Sequence, residues 1–173
     1  MKLQALSIAG LFLSSLAVGC VRSQVPGSGA PETTLRAFLP RFEEGTNRFI
    51  NGDPTLWNEN ASRREDATIM GAWGGYEKGW SEVGPRYDWV AGRLRESGAK
   101  VRVEYLSSGV EGNLAYTVAI ERSELRQVDQ DRPTPSALRV THIFRQENGA
   151  WKLVHRHADP LIDTTVPSAV KQK

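Results

Sequence analysis

Cysteine is almost absent from this 173-residue chain: Cys20 is the only one, so no internal disulfide can form. An excess of charge of one sign is also absent, since 22 basic residues stand against 20 acidic ones. Removal of residues 1–19 would take away Lys2 alone and leave 21 basic residues. Nucleic-acid binders need a clear basic surplus to neutralise phosphates, so we predict no nucleic-acid partner.

The first 19 residues have the pattern of an export signal. A positive start at Lys2 precedes an apolar run over residues 5–16, which is too short to span a bilayer. Small residues then lead to Cys20, in an order that resembles the lipobox of bacterial lipoproteins. We therefore predict an exported protein, either a cell-envelope lipoprotein anchored to the membrane through lipidated Cys20 or a periplasmic protein cleaved after Gly19.

The rest of the chain predicts one domain with two irregular flanks. Residues 20–31 are rich in Gly, Ser and Pro and are typical of a flexible tether. Residues 32–162 have the length of one ordinary domain, and residues 163–173 are expected to form a disordered tail.

Hydrophobic spacing predicts helices in the first part of this domain. Apolar residues recur at helical intervals over residues 34–51, where Pro40 predicts a kink or a late start. Asp53 followed by proline predicts the N-cap of a short second helix. A third helix begins at Trp80, and Gly98 stands where it would end.

Strands dominate the second part. A short strand is predicted over residues 66–70, and longer ones over residues 100–107, 114–125, 138–146 and 151–159. The segment 71–80 holds four glycines but lacks the spacing of a phosphate-binding loop, so we interpret it as turns. Helices followed by consecutive strands indicate an α+β fold, with the helices on one side of an antiparallel sheet.

All three histidines fall in the last predicted hairpin. Asn148 and Gly149 suit a type I′ turn, and this turn sets a register with four facing pairs: Phe144 with Leu153, His142 with His155, Val140 with His157, and Leu138 with Asp159. In this register the histidines point inward with the apolar residues. The opposite face carries a basic strip of Arg139, Arg145, Lys152 and Arg156, expected to face solvent or, in an assembly module, an acidic partner or lipid headgroups.

The order of these segments resembles the NTF2-like superfamily. The likeness covers residues 35–161 and rests on Asn51-Gly52-Asp53, the strand Asp66–Met70, Gly79-Trp80 opening a helix, and the ending Asn-Gly-x-Trp-Lys-Leu-Val-His-Arg-His. Within the superfamily the chain is most similar to the SnoaL-like and DUF4440 group, and its last hairpin resembles the association domain of calmodulin-dependent kinase II. The resemblance implies a cone: a strongly curved antiparallel sheet against about three helices, with a pocket at its open end and a homodimer across the sheet.

The resemblance does not fix the chemistry, because the superfamily holds both enzymes and binding modules. In its ketosteroid isomerase branch the proton-carrying aspartate follows a strand like residues 67–69, and here Gly71 takes that place. Glycine cannot abstract a proton, so isomerase chemistry of that kind is not expected.

Three uses of the inward face stay open. The first is a pocket for a small, partly apolar ligand, with no cofactor. Its predicted wall is Trp57, Trp73, Tyr76, Trp80, Tyr116 and Phe144, and its predicted polar groups are His142, His155 and His157. Packing of these aromatic residues in the core is the alternative.

The second use is cofactor-independent acid–base catalysis as a lyase, isomerase or hydrolase. His157 or His142 would carry the proton and Asp159 would orient it, with Glu104 and Asp88 as other carboxylates. The third use is a zinc site of three imidazoles, which the spacing of the histidines allows but does not favour, and we predict no metal. A non-catalytic assembly module is the remaining class.

Overall fold

The computed structural model describes residues 31–162. The signal peptide, Cys20 and nearly all of the tether, together with the predicted C-terminal tail, lie outside the described residues. Three helices and six strands follow one another in the order α1 Pro31–Ile50, α2 Thr55–Asn60, β1 Thr68–Met70, β2 Glu77–Lys78, α3 Trp80–Ala91, β3 Arg102–Glu111, β4 Leu114–Leu125, β5 Thr134–Glu147 and β6 Ala150–Pro160. In the part of the chain from residue 31 to 162, no helix has the length and apolar character needed to cross a membrane.

Helix α1 is amphipathic and runs through Pro40 without interruption, so the predicted late start is wrong. Its buried residues Leu35, Phe42 and Ile50 share one stripe that faces the sheet. Gly45 lies where α1 meets α2: a Cβ atom there would stand 2.9 Å from the Asn60 amide nitrogen. The absence of a side chain at this position therefore lets the two helices pack closely.

The two shorter helices differ in how well their ends follow the sequence pattern. The Asp53 carboxylate accepts a hydrogen bond from the Thr55 backbone N–H at 2.9 Å, as expected for the start of α2. Helix α3 ends at Ala91, seven residues before Gly98. It stops early because the next residues bond to the loop after β4: Arg95 N–H donates to Arg126 O at 2.8 Å, and Val128 N–H donates to Arg93 O at 2.9 Å.

The six strands form one curled sheet in the order β2-β1-β6-β5-β4-β3. Strands β3 to β6 are an antiparallel meander, as predicted. Strand β1, however, runs parallel to β6, so the sheet is mixed rather than wholly antiparallel. The helices cover its inner face, and the core includes Phe42, Trp57, Phe144 and Leu153. The predicted α+β cone is confirmed.

The β5–β6 hairpin keeps the predicted turn but not the predicted register beyond it. Asn148 and Gly149 both have positive φ, and Phe144 pairs with Leu153 as expected. The next pair is Ile143 with His155, which leaves Val154 without a partner. This β-bulge shifts the rest of β6 by one residue and turns its side chains to the other face of the sheet.

Candidate functional site

A cavity of about 120 Å³ lies between the helices and the inner face of β4, β5 and β6. Helix α1 contributes Phe49, α2 contributes Trp57, and α3 contributes Tyr87 to a wall that is mostly apolar. Among the polar residues of the wall are Glu121 of β4 and Arg156 of β6, which both line the cavity from the sheet. A mostly apolar concave space with a few fixed polar groups is the usual form of a small-molecule site.

Glu121 and Arg156 form a two-pronged ion pair at the sheet side of the cavity. The distances from Arg156 Nη2 to Glu121 Oε2 and from Arg156 Nη1 to Glu121 Oε1 are 2.7 and 3.1 Å. The side chains of Arg156 and Glu121 are only 11% and 7% exposed. Burial alone would raise the pKa of Glu121, but the charge and hydrogen bonds of Arg156 outweigh burial and hold that pKa below its usual range. The pair is therefore ionised inside an apolar wall.

His142 lies behind this pair rather than in the cavity wall. Its Nε2 accepts a hydrogen bond from Arg156 Nη1, which implies that its Nδ1 carries the proton and donates to Thr117 Oγ1 at 3.2 Å. Burial, with the positive charge of Arg156, lowers the pKa of His142 to about 3. This imidazole is neutral at physiological pH and fixes Arg156, so its predicted role as a proton carrier is not supported.

The predicted aromatic wall is correct only in part. Trp57 and Trp73 line the cavity, as expected. Phe144 is fully buried against Phe42, with ring centroids 5.1 Å apart, and belongs to the core. Trp80 packs at the edge of the core and does not line the cavity.

Two other predicted wall residues point away from the cavity. Tyr116 lies on the outer face of β4 and is 43% exposed, since the inward residues of that strand are Ala115, Thr117 and Ala119. Tyr76 is 76% exposed in the glycine-rich segment and borders a shallow outer depression. Neither residue touches the space that Trp57 lines.

The bulge at Val154 overturns the inward placement of His155 and His157. His155 pairs with Ile143 on the outer face and its Nδ1 lies 2.8 Å from Thr68 Oγ1. His157 is exposed and borders the same outer depression as Tyr76. The cavity is therefore not lined by histidine.

His157 and Asp159, the predicted catalytic pair, both border the outer depression, but the hydrogen bonds of the Asp159 carboxylate go to another residue. Both oxygens of Asp159 accept hydrogen bonds from Arg139, at 2.9 and 2.7 Å. The other carboxylates considered are engaged elsewhere, with Glu104 bonded to Arg122 and Asp88 to Asn58. Among residues 31–162, no three His, Cys, Asp or Glu side chains lie close enough together to hold a metal ion.

The basic strip predicted on the outer face is also broken up. Arg156 points inward, and Arg139 is paired with Asp159. Arg145 bonds both Asp66 and Glu147, each at 2.7 Å. The remaining member, Lys152, donates to the backbone oxygen of Glu59. These arginines and this lysine are tied to the protein itself, which argues against a free cationic surface.

Sequence reasoning missed Glu121, Arg156 and Tyr87 as site residues. A signal for Glu121 was present, because it continues the row of small residues Ala115, Thr117 and Ala119 that face inward along β4. Tyr87 continues the apolar spacing of α3. Arg156 had no such signal, since only the bulge turns it inward. Gly71 does line the cavity, and a Cβ there would have its nearest contact at 3.9 Å.

Comparison with protein families identifies the class. Residues 67–163, more than half of the chain, match the family model of the SnoaL-like domain, SnoaL_3. The protein therefore belongs to the SnoaL-like domain family, and its predicted place in the NTF2-like superfamily is confirmed. Comparison with curated proteins gives no significant match.

Solved structures agree in fold. An NTF2-like superfamily protein from Salmonella enterica subsp. enterica serovar Typhimurium str. LT2 is 18% identical with a TM-score of 0.67, and the match covers 80% of this chain and 96% of that one. A proposed dehydratase of the NTF2-like family from Streptomyces avermitilis is 17% identical, with a TM-score of 0.61 and coverage of 76% and 99%. A proposed calcium/calmodulin-dependent protein kinase II association domain from Xanthomonas campestris is 10% identical, with a TM-score of 0.61 and coverage of 82% and 95%. Identities this low establish the fold alone.

Proposed function

We propose that this SnoaL-like domain binds a small, mostly apolar molecule in the cavity between its helices and sheet. The observation that carries the proposal is the buried Glu121–Arg156 pair, which places a fixed dipole in a mostly apolar wall. Such a pair costs desolvation free energy, so it is weak evidence for a purely stabilising role. It is well placed to orient a ligand.

Binding is favoured over proton-transfer catalysis by the electrostatics of the same pair. A carboxylate whose pKa is held low is a weak proton acceptor at neutral pH, and Arg156 keeps Glu121 in that state. His142 is neutral and turned away from the cavity. Gly71 leaves the position of the isomerase base empty of any acidic group.

Toluene binding tests the proposal, because a cavity of this size resembles the engineered 150 Å³ cavity that takes up benzene. We expect toluene to shift NMR signals of cavity residues in the native protein. Ala158→Leu fills the cavity from β6 and should weaken toluene binding at least about tenfold, the equivalent of ~1.4 kcal/mol. Ala150→Leu, an exposed change on the same strand, is the matched control. Equal binding by all three proteins, or by none, would contradict the proposal.

We also propose that two copies associate through the outer face of the sheet, as the family resemblance implies. Leu114, Tyr116 and Ile143 are exposed there at 46%, 43% and 37%, and Tyr116 pairs directly with Ile143. Exposed apolar side chains in a group are typical of protein interfaces. Ile143→Glu should then shift sedimentation from dimer to monomer, whereas Val128→Glu, at an exposed apolar residue outside the strands, should not. A native protein that sediments as a monomer would rule out this dimer.

Export and lipid anchoring through Cys20 stay a proposal that rests on the sequence alone. Cys20→Ser should prevent lipidation and cleavage and leave the unprocessed precursor when expressed in a bacterial host. Globomycin should have the same effect on processing of the native chain. Unchanged processing in both cases would indicate ordinary signal cleavage.

A further inference from the structure

Trp73 lies at the mouth of the cavity. Its side chain lines the cavity and is also 40% exposed, whereas the other described residues of the wall are buried or half-buried. An indole that borders both the cavity and the solvent stands at the boundary between them. The position of Trp73 therefore affects how easily a molecule can enter.

A short turn with little packing around it carries Trp73. The Gly74 N–H donates to Gly71 O at 2.9 Å, which closes a four-residue turn with Trp73 near its tip. Gly74 has positive φ, and a Cβ atom built on it would meet nothing within 4 Å. Residues of this kind, in a loop and without neighbours, are suited to act as hinges. We call residues 71–74 the Trp73 turn.

Contacts with α3 hold the Trp73 turn in place. Arg86 Nη2 donates to Gly74 O at 3.0 Å, and the Trp73 ring packs edge to face on Trp89, with centroids 6.1 Å apart. Trp89 is 41% exposed and does not line the cavity. Segments with few buried contacts open more readily than the core of a domain. The Trp73 turn is therefore among the parts of the cavity wall that can move while the domain stays folded.

The Trp73 turn also separates two spaces. Gly71 and Ala72 border the cavity and the outer depression alike, as does Ala158 of β6. Movement of the turn away from α3 would join the cavity to the outer depression. Such a movement would widen the path for a ligand without disturbing the inner wall.

We propose that the Trp73 turn is a movable gate of the cavity, held closed by the contact between Trp73 and Trp89. Gly71 and Gly74 are its hinges. This inference rests on the proposed binding function and adds the control of entry to the same site. The gate then sets the rates of binding and release, while the inner wall sets the affinity.

Trp89→Ala tests the gate on the full chain, because Trp89 holds Trp73 but does not line the cavity. We expect the association and dissociation rates of toluene, measured from NMR line shapes, both to rise about fivefold through the loss of one aromatic contact. The dissociation constant should then stay within about twofold of the native value. Tyr76→Ala removes an exposed ring from the same glycine-rich segment, outside the cavity, and should leave both rates unchanged. A rise in the dissociation rate alone would place Trp89 in the binding site and overturn the gate.

Thr46→Cys gives a second readout that needs no ligand. Thr46 is buried and lines the cavity from α1, so a thiol at this position should react with iodoacetamide only when the cavity is open. Addition of Trp89→Ala should raise the alkylation rate about fivefold, since the open form becomes more populated, and addition of Tyr76→Ala should not. Peptide masses distinguish this thiol from Cys20.

The two readouts separate the gate from the binding function. An alkylation rate that Trp89→Ala leaves unchanged would overturn the gate, even if toluene binds as proposed. A raised alkylation rate in a protein that binds no toluene would support the gate and contradict the proposed binding function alone.

Discussion

Two arginine–carboxylate pairs bridge strands of the same sheet with almost the same geometry. Arg156 grips Glu121 through two hydrogen bonds on the inner face, and Arg139 grips Asp159 through two on the outer face. The first pair is 11% and 7% exposed, and the second is 56% and 40% exposed. Arg156 and Arg139 both belong to the β5–β6 hairpin. One hairpin therefore holds the same kind of ion pair in a buried environment and in an exposed one.

The comparison shows that the burial of a charged pair, rather than its hydrogen-bond geometry, decides how strongly it affects stability. Water screens the outer pair, and such pairs typically contribute less than about 1 kcal/mol. The inner pair has lost its water, so each charge depends on the other and on the His142 ring behind Arg156. A ligand entering the cavity meets the inner dipole unscreened.

Removal of one charge from each pair should give the largest difference in stability between the two faces of the sheet. Glu121→Gln leaves Arg156 charged in an apolar wall, and we expect a loss of about 3–5 kcal/mol in the free energy of unfolding measured with urea. Asp159→Asn, the matched change on the outer face, should cost less than about 1 kcal/mol. Similar losses in the two variants would show that the inner pair is hydrated.

Deletion of Val154 should remove the bulge and keep both pairs on their present faces. Without this residue, the pair of Phe144 with Leu153 is followed directly by the pair of Ile143 with His155. Arg156 still lies opposite His142. We expect a folded protein with a stability loss of about 2 kcal/mol, because the local bend of the strand is lost. The amide NMR signals of Glu121 and Arg156 should change little. An unfolded product, or a large change in the Glu121 signal, would contradict this prediction.

The pH dependence of stability should report the environment of the inner pair through His142. In the unfolded chain this histidine takes up a proton near its ordinary pKa of 6.5, but in the folded protein it does so only near pH 3. Its contribution is therefore complete above pH 6.5, and below that it falls by up to about 1.4 kcal/mol per pH unit. Urea unfolding of His142→Gln between pH 6.5 and 5 should show a shallower slope than the native protein.

His155 provides the control for that slope. Burial, with the charge of His157, lowers the pKa of His155 as well, so it acts in the same direction from the outer face. It is less buried than His142, and His155→Gln should therefore remove the smaller share of the slope. A larger share for His155 would mean that His142 is not the buried neutral ring described here.

The smallest effect is expected at His157. Its side chain is exposed on the outer side of β6 and does not line the cavity, so His157→Ala should leave the affinity for toluene unchanged within about twofold. Titration of both proteins under the same conditions measures this directly. A tenfold loss would return His157 to the binding site.

The sequence pattern predicted correctly those elements that depend on interactions between residues close together in the chain. Strand β4 has the bounds that alternation predicts, residues 114–125, and Asn148-Gly149 makes the expected turn. The α+β class follows from the order of these elements. The end of α3 was misplaced because contacts with the distant loop around Arg126 stop the helix, and no residue near Ala91 encodes those contacts.

The site was harder to predict for one physical reason. A strand has a side-chain period of two, so a single unpaired residue reverses every later assignment of inside and outside. Val154 is such a residue. Because of it, Arg156 and Ala158 lie on the inner face of the sheet, where His155 and His157 were predicted. Within the β5–β6 hairpin, the residues up to Leu153 were placed correctly, whereas residues 155–159 were assigned to the wrong face. The parallel pairing of β1 with β6 was also invisible to local patterns.

That parallel pairing has a consequence for the order of events during synthesis. Strand β6 is the last strand of the chain, yet it lies in the middle of the sheet between β1 and β5. Strand β1 can pair with β2 soon after both emerge from a ribosome, but Thr68 gains its partner His155 on β6 only after 87 more residues have followed. Pairing over such a separation is slow to form. The sheet therefore cannot be completed until β6 is available, so the elements that precede it wait for the last strand of the domain.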